Sequence, residues 1–324
     1  MKRLVFLLIM VVIGINSFAE SNLKRGMNMG NALEAPEEGS WGITIEPEYF
    51  KAMKDAGFDY VRVPVRWDAH TSDKAPYKID PVFMKRVKEV VDLAYKNNLK
   101  ILINAHHFDS IMYEPDKYSE KLNSMWNQIS TAFKDYDNNL YFEILNEPKE
   151  NMSVGKLNIL YEKVIKTIRK TSTERKIALG GIFWSNFAST ATTFVPKDDK
   201  NIILLFNYYN PFEFTHQGAS WVDGSGDWEG TTWIGTEEEK QRITKEFDFA
   251  VEQAKLKGVD LMIGEFGAYS DADMKSRATW TDFVAREAEK RGIAWTYWEF
   301  CSSFGAYDAF SKEWRKPLLE ALIK

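Results

Sequence analysis

Eight apolar runs recur along the chain at wide spacing, and the gaps between them carry helical patterns. The runs are "GMNMGNAL" (26–33), "YVRVPVRW" (60–67), "KILINAHH" (100–107), "LYFEILNEP" (140–148), "KIALGGIFWS" (176–185), "NIILLFNYYNP" (201–211), "DLMIGEFGAY" (260–269) and "AWTYWEFCSSF" (294–304). Most are near-continuous rather than alternating, which is how strands covered on both faces read. Between them, "DPVFMKRVKEVVDLAYKNN" offers Asp80 as N-cap and Pro81 at the first helical position, with Phe83, Val87, Val90, Val91 and Ala94 on one face. "TEEEKQRITKEFDFAVEQAKLKG" opens on a capping box, Thr236 with Glu239, and stops at Gly258. "EWRKPLLEALIK" reads as a closing helix. Eight strands alternating with helices over about 300 residues is the rhythm of an α/β fold, a single-domain (β/α)8 TIM barrel. A doubly wound open sheet is the alternative. It loses ground because no Gly-rich phosphate fingerprint opens any strand-to-helix turn.

The start of the chain reads differently. Lys2 and Arg3 precede a short apolar run, Leu4 to Ile15, and Ser17 and Ala19 form a small-x-small cleavage pattern. Residues 1–19 are therefore expected to be a secretory signal peptide, and 20–324 the single (β/α)8 domain. The expected location is extracellular or periplasmic. Loss of Lys2 and Arg3 takes the net charge from −5 to −7. No basic stripe remains, which argues against nucleic acid and, once the leader is cleaved, against a membrane partner. Cys301 is the single cysteine, so an internal disulfide is impossible and core burial must hold the exported chain. No repeat, low-complexity tract or Pro/Ser-rich linker follows residue 20, which argues against a tethered second module. A monomer is expected.

In such a barrel, chemistry sits at the carboxyl ends of the strands. Seven of the eight runs end on polar or aromatic groups: Asn31 and Glu34; Arg62; His106-His107; Asn146-Glu147; Asn207 and Tyr209, with His216 further on; Glu265; and Trp298-Glu299. Charged groups are rarely buried unless paired, so a converging set needs a reason. A metal is not expected. Of four histidines, His70, His106, His107 and His216, the adjacent pair should point to opposite strand faces, and no HxH or HExxH spacing exists. No G-x-S-x-G elbow supports a serine nucleophile. Two carboxylates, Glu147 and Glu265, converging from different strands fit better, because a protonated acid facing an ionised nucleophile is the arrangement of glycoside hydrolysis. The 11 Trp suit the stacking of sugar faces. Within "YFEILNEP" (141–148), Glu143 and Glu147 share strand parity, so position decides between them. Glu147 is at the reacting end, and Glu143 reads as a deeper, hydrogen-bonded structural acid.

At these residues the chain resembles glycoside hydrolase family 5 (cellulase family A), specifically bacterial endoglucanases with a bare catalytic domain. "GMNMGNALEAP", "VRVPVRW", "NAHHF", "FEILNEP", "NYYNPFEFTHQGASW", "IGEFGAY" and "YWEFCSSFGAYD" fall in order across the chain after the leader. The likeness is greatest to thermophilic members that cleave glucans and sometimes mannans. The resemblance implies a retaining endo-β-1,4-glucanase, with action on mannan or glucomannan as the neighbouring specificity, and no cofactor. It implies Glu147 as general acid/base and Glu265 as nucleophile, with Arg62 and Tyr209 on Glu265 and Asn146 on the sugar 2-hydroxyl. It places His106 and His107 on the glycone side and Trp298 as the stacking platform. Asn31, Glu34, His216, Trp221 and Glu299 match residues that shape the cleft, and a non-proline cis bond is expected after Trp298. Trp221, Trp228 and Trp233 are candidates for the aglycone side, although Trp228 and Trp233 serve equally well to pack a long loop. One position departs: where the family usually has His in "HYY", this chain has Asn207. Asn cannot take a proton, so lowered or pH-shifted activity is expected. A sugar-binding protein with a degraded site is the competing reading, for which Asn207 is the only hint.

Overall fold

The computed structural model describes residues 22–324; the expected signal peptide lies outside them. Eight parallel strands close into a barrel: β1 (Arg25–Asn28), β2 (Tyr60–Val63), β3 (Lys100–Asn104), β4 (Leu140–Glu143), β5 (Ile177–Gly180), β6 (Ile202–Tyr208), β7 (Asp260–Phe266) and β8 (Ala294–Tyr297). β1 pairs with both β2 and β8, which completes the ring. Beyond it, β9 (Tyr307–Asp308) and β10 (Glu313–Trp314) form a small antiparallel hairpin.

The helices form where their end signals lie. Asp80 accepts from the Val82 N–H at 2.8 Å, and Phe83, Val87, Val90, Val91 and Ala94, the expected apolar face of Pro81–Lys96, are all buried. Thr236 and Glu239 make both bonds of the capping box of Glu237–Lys257, which ends at Gly258 with φ 68°. Closure follows in Lys316–Leu322, whose Leu318, Ala321 and Leu322 are buried.

Strand side chains divide between two cores. Outward residues such as Val61, Val63, Ile101 and Ile103 pack under the helices. Inward residues, among them Tyr60, Leu102, Tyr141, Ile203 and Met262, fill the lower barrel. Both faces are apolar there, hence the continuous runs. Gly26 makes the floor possible, since a Cβ there would lie 2.4 Å from the Tyr60 ring.

The runs overreach the strands, and the excess is what carries the site. β3 stops at Asn104 and β4 at Glu143, and the chain then leaves the sheet. His107 and Glu147 have φ of 54° and 46°, left-handed backbone for non-glycine residues. Strand parity therefore does not govern His106-His107 or Glu143/Glu147. Likewise β5 ends at Gly180, and Phe183, Trp184 and Ser185 follow with φ near 55°.

Candidate active site

Two residues up from the apolar floor on the same strand faces, Tyr60 gives way to Arg62, Leu102 to Asn104 and Tyr141 to Glu143. Arg62 is fully buried. Its five N–H groups all find acceptors. Nε and Nη2 hold the two Glu143 oxygens at 2.7 and 2.8 Å. Nη1 donates to Asn28 Oδ1 and Glu265 Oε1, both at 2.8 Å, and Nη2 also to Asn146 Oδ1 at 2.7 Å. One rigid fork thus places a structural acid, Glu143, and a site acid, Glu265. The second oxygen of Glu265 accepts from the Tyr209 hydroxyl at 3.0 Å. A break in register between Phe206 and Asn207 brings Asn207 opposite Glu265, the kind of irregularity that re-aims side chains at barrel rims. Asn207 Nδ2 donates to Glu147 Oε1 at 2.9 Å, while its Oδ1 is buried without a partner.

The two acids sit in different fields. Burial pushes Glu147 up to about 8, reinforced by the charge of Glu265. Burial raises Glu265 too, but there Arg62 and the Tyr209 hydroxyl act against it. Glu147 makes no ion pair among the described residues. The pair therefore gives up its first proton at Glu265, and the resulting charge holds the second proton on Glu147. Burial and the neighbouring acids keep Tyr209 protonated as a donor. Burial holds His107 and His216 down at about 4 and His106 well below the ordinary imidazole value, so all three are neutral near pH 7.

Two adjoining cavities meet at Glu147. The first, about 480 Å³, is lined by both acids and by Asn31, His106, His107 and Trp298. His106 lies parallel to Trp298, with ring centroids 5.9 Å apart. The second, about 790 Å³, is lined by Glu147 but not Glu265, and by Lys149, Phe183, Trp184, Asn207 and Phe212. Tyr209, His216 and Trp221 border both. His106 and His107 thus face one cavity together, contrary to the strand-parity expectation, because both lie past the end of β3.

Other expectations need correcting. Glu34 and Glu299 have no exposed surface and line neither cavity. Glu34 accepts from the N–H groups of Asn31 and Ala32, and Glu299 from those of Ser302 and Phe304, so they brace the loops that carry Asn31 and Trp298. Burial pushes their carboxyls up to about 8 and about 7. Asn146 lines neither cavity either; Arg62 and His106 Nε2, 3.3 Å away, engage its two ends. Trp233 is buried, and Trp228 packs on Phe212 at 6.0 Å outside both cavities. The Trp298–Glu299 peptide is cis, as expected. Trp41, edge-on to His107, and the pair Phe183 and Trp184 were missed. The Trp surplus was their only signal, and Trp184 was absorbed into a strand-like run. Among the described residues no group of three or more His, Cys, Asp or Glu side chains could hold a metal ion.

The model of the cellulase family, glycosyl hydrolase family 5, matches residues 22–303. The chain belongs to this family. Endoglucanase H of Acetivibrio thermocellus is 38% identical over 283 residues, which cover 87% of this chain and 30% of that protein. The cellulase/esterase CelE of the same organism is 32% identical, with 86% and 35% covered. The chain thus spans about a third of the length of these relatives. Structures of Thermotoga maritima Cel5A in complex with cellobiose (48% identity) and with mannotriose (47%) both superpose with a TM-score of 0.91, over 93% of this chain and 97% of that one. Family 5 membership accords with the barrel and with the two acids beyond β4 and on β7.

Proposed function

We propose that this chain is a retaining endo-β-1,4-glucanase. The observation that carries it is the unequal pair: Glu265 is held by Arg62 and Tyr209 for ionisation, while Glu147 is kept protonated and stands between two cavities. The nucleophile must reach the anomeric carbon, so the cavity lined by Glu265 takes the glycone. The acid must reach the bridging oxygen, so the cavity lined by Glu147 alone takes the aglycone. Binding space on both sides of the scissile bond suits cleavage within a chain.

Glu265 attacks the anomeric carbon while Glu147 protonates the leaving oxygen. Glu147, now a carboxylate, takes a proton from water, and the hydroxyl releases the sugar from Glu265. Direct attack requires the carboxylates about 5–5.5 Å apart. Trp298 supplies the platform for the reacting sugar, with His106 and His107 beside it. The leader-like residues 1–19 support a location outside the cytoplasm, where the enzyme is proposed to act as a monomer.

Release of reducing sugar from carboxymethyl cellulose tests the reading. Failure there and on glucomannan and xyloglucan would leave the sugar-binding alternative. Cel5A of T. maritima has been captured with both cellobiose and mannotriose, which favours mannan as a second substrate. Comparing initial rates on soluble glucan and mannan separates the two.

A further inference from the structure

Side chains alternate along β6. Ile203 and Leu205 belong to the inner core, and Leu204, Phe206 and Tyr208 to the outer one under the helices. The alternation carries past the end of the strand and divides residues 207–210 between two sets of partners. Asn207 and Tyr209 hold the site acids, Glu147 at 2.9 Å and Glu265 at 3.0 Å. Tyr208 and Asn210 meet a single carboxylate outside the barrel, that of Glu246. The Tyr208 hydroxyl donates to its Oε2 at 2.7 Å, and Asn210 Nδ2 donates to the same oxygen at 3.1 Å.

Glu246 lines neither cavity. It lies on the helix Glu237–Lys257, between Ile243 and Ala250 and next to Phe247, all three buried, so the helix face that carries it is fixed. Phe247 stands edge-on to the Tyr208 ring at 4.9 Å. The next helix, Met274–Lys290, adds Trp280, whose ring lies parallel to Tyr208 at 6.4 Å and whose Nε1 donates to the Asn210 carbonyl at 3.0 Å. The pairing with β7 shifts register between Phe206 and Asn207, so the segment begins at an irregular point of the ladder. Planar peptides pass any outward movement of Tyr208 or Asn210 directly to Asn207 and Tyr209. One ionised oxygen, bonded on both sides of Tyr209, holds the segment against that movement.

We propose that Glu246 is the positioning residue for both site acids, setting residues 207–210 so that Tyr209 meets Glu265 and Asn207 meets Glu147 at once. The role rests on the retaining reading above. Glu246 touches no substrate and acts through the two donors. The Tyr209 hydroxyl draws Glu265 down and the Asn207 amide draws Glu147 down, each against burial. Weakening both bonds together therefore moves both proton affinities up. The charges that face the acids, Arg62, Glu143 and Lys149, stay where they are, as does Arg242, whose charge acts on Tyr208.

The two titration steps of the Glu147/Glu265 pair are followed by NMR in protein carrying ¹³C-labelled glutamate carboxyls, and kcat and KM on soluble glucan are measured over the same pH range. In Glu246→Leu both steps, and both limbs of the kcat profile, should move upward by about 0.5–1 pH unit. At the optimum kcat should fall roughly tenfold with KM little changed. Glu246→Gln keeps an oxygen for both donors and should keep the native steps. A Glu246→Leu protein that melts earlier but titrates as before overturns the proposal and makes Glu246 a structural residue. A shift in Glu246→Gln as large as in Glu246→Leu also overturns it, because charge rather than placement would then be the cause. If Glu246→Leu does not fold, Tyr208→Phe removes one of the two bonds and keeps the ring; a smaller upward shift supports the proposal, and none overturns it. No cleavage by the unaltered protein overturns the hydrolase reading alone, since the carboxyl titrations still decide the placement.

Discussion

The lower and upper tiers of the barrel interior are built on the same strands and the same faces, yet they follow opposite rules. Below, Leu102, Tyr141, Ile203 and Met262 pack as an apolar plug, and a polar contact joins the Tyr60 hydroxyl to Thr296 Oγ1 at 2.8 Å. One pleat higher, Arg62, Asn104 and Glu143 are equally buried but charged or polar, with Glu265 beside them. The floor gains from every apolar group removed from water. The upper tier loses solvation and recovers it only because every Arg62 donor is matched. Burial raises both Glu147 and Glu265, and the direct bonds of Arg62 and Tyr209 to Glu265 separate their proton affinities. The tier whose burial must be offset by matched hydrogen bonds is thus the one that holds Glu265.

The comparison breaks most visibly if the upper tier can lose a member without consequence. Glu265→Ala should lower kcat on soluble glucan by roughly 10³-fold or more. Near-normal turnover would reject Glu265 as nucleophile. Arg62→Met should cost about 3–5 kcal/mol in denaturant unfolding, because it strands two buried carboxylates, and it should abolish activity as well. The floor should behave differently. Leu102→Ala is expected to cost about 2–5 kcal/mol of stability with kcat per folded molecule unchanged; a loss of kcat matching that of Arg62→Met would erase the distinction.

Titration sharpens the contrast. Activity should fall at low pH as Glu265 gains its proton, and again above about pH 8 as Glu147 loses its own. Glu34 adds a signature in stability: raised from 4.5 to about 8, it keeps in the fold a proton that the unfolded chain releases. Its contribution is therefore whole below pH 4.5 and fades as pH rises through 8. Glu34→Gln should flatten that decline in a series of melting temperatures, and an unaltered slope would clear Glu34 of the effect. The smallest effect concerns Asn207. Asn207→His puts a titratable ring against Glu147 and should raise activity or move its pH profile; an unchanged profile would make the asparagine a neutral variant.

Much of the barrel was legible because its signals are local. Asp80 with Pro81 and Thr236 with Glu239 set helix starts within a few residues, and the apolar runs located all eight strands. The ends of those runs were less legible. Nothing in "NAHHF" or "LNEP" announces a left-handed residue, so His107 and Glu147 were read as strand positions when they lie beyond the sheet. Glu34 and Glu299 looked like cleft residues because burial depends on which loops cover them. Trp184 went unnoticed because its neighbours read as strand.

By itself, then, the sequence determined the alternation of strand and helix and put polar groups, Glu147 and Glu265 among them, at the ends of the apolar runs, since each rests on periodicity or end signals within one segment. Only the tertiary structure decided which of the two acids is favoured for ionisation and which polar side chains line the cavities. Those outcomes rest on contacts far apart in the chain: Arg62 grips Glu143 across 81 residues and Glu265 across 203, and burial is shared among all of them.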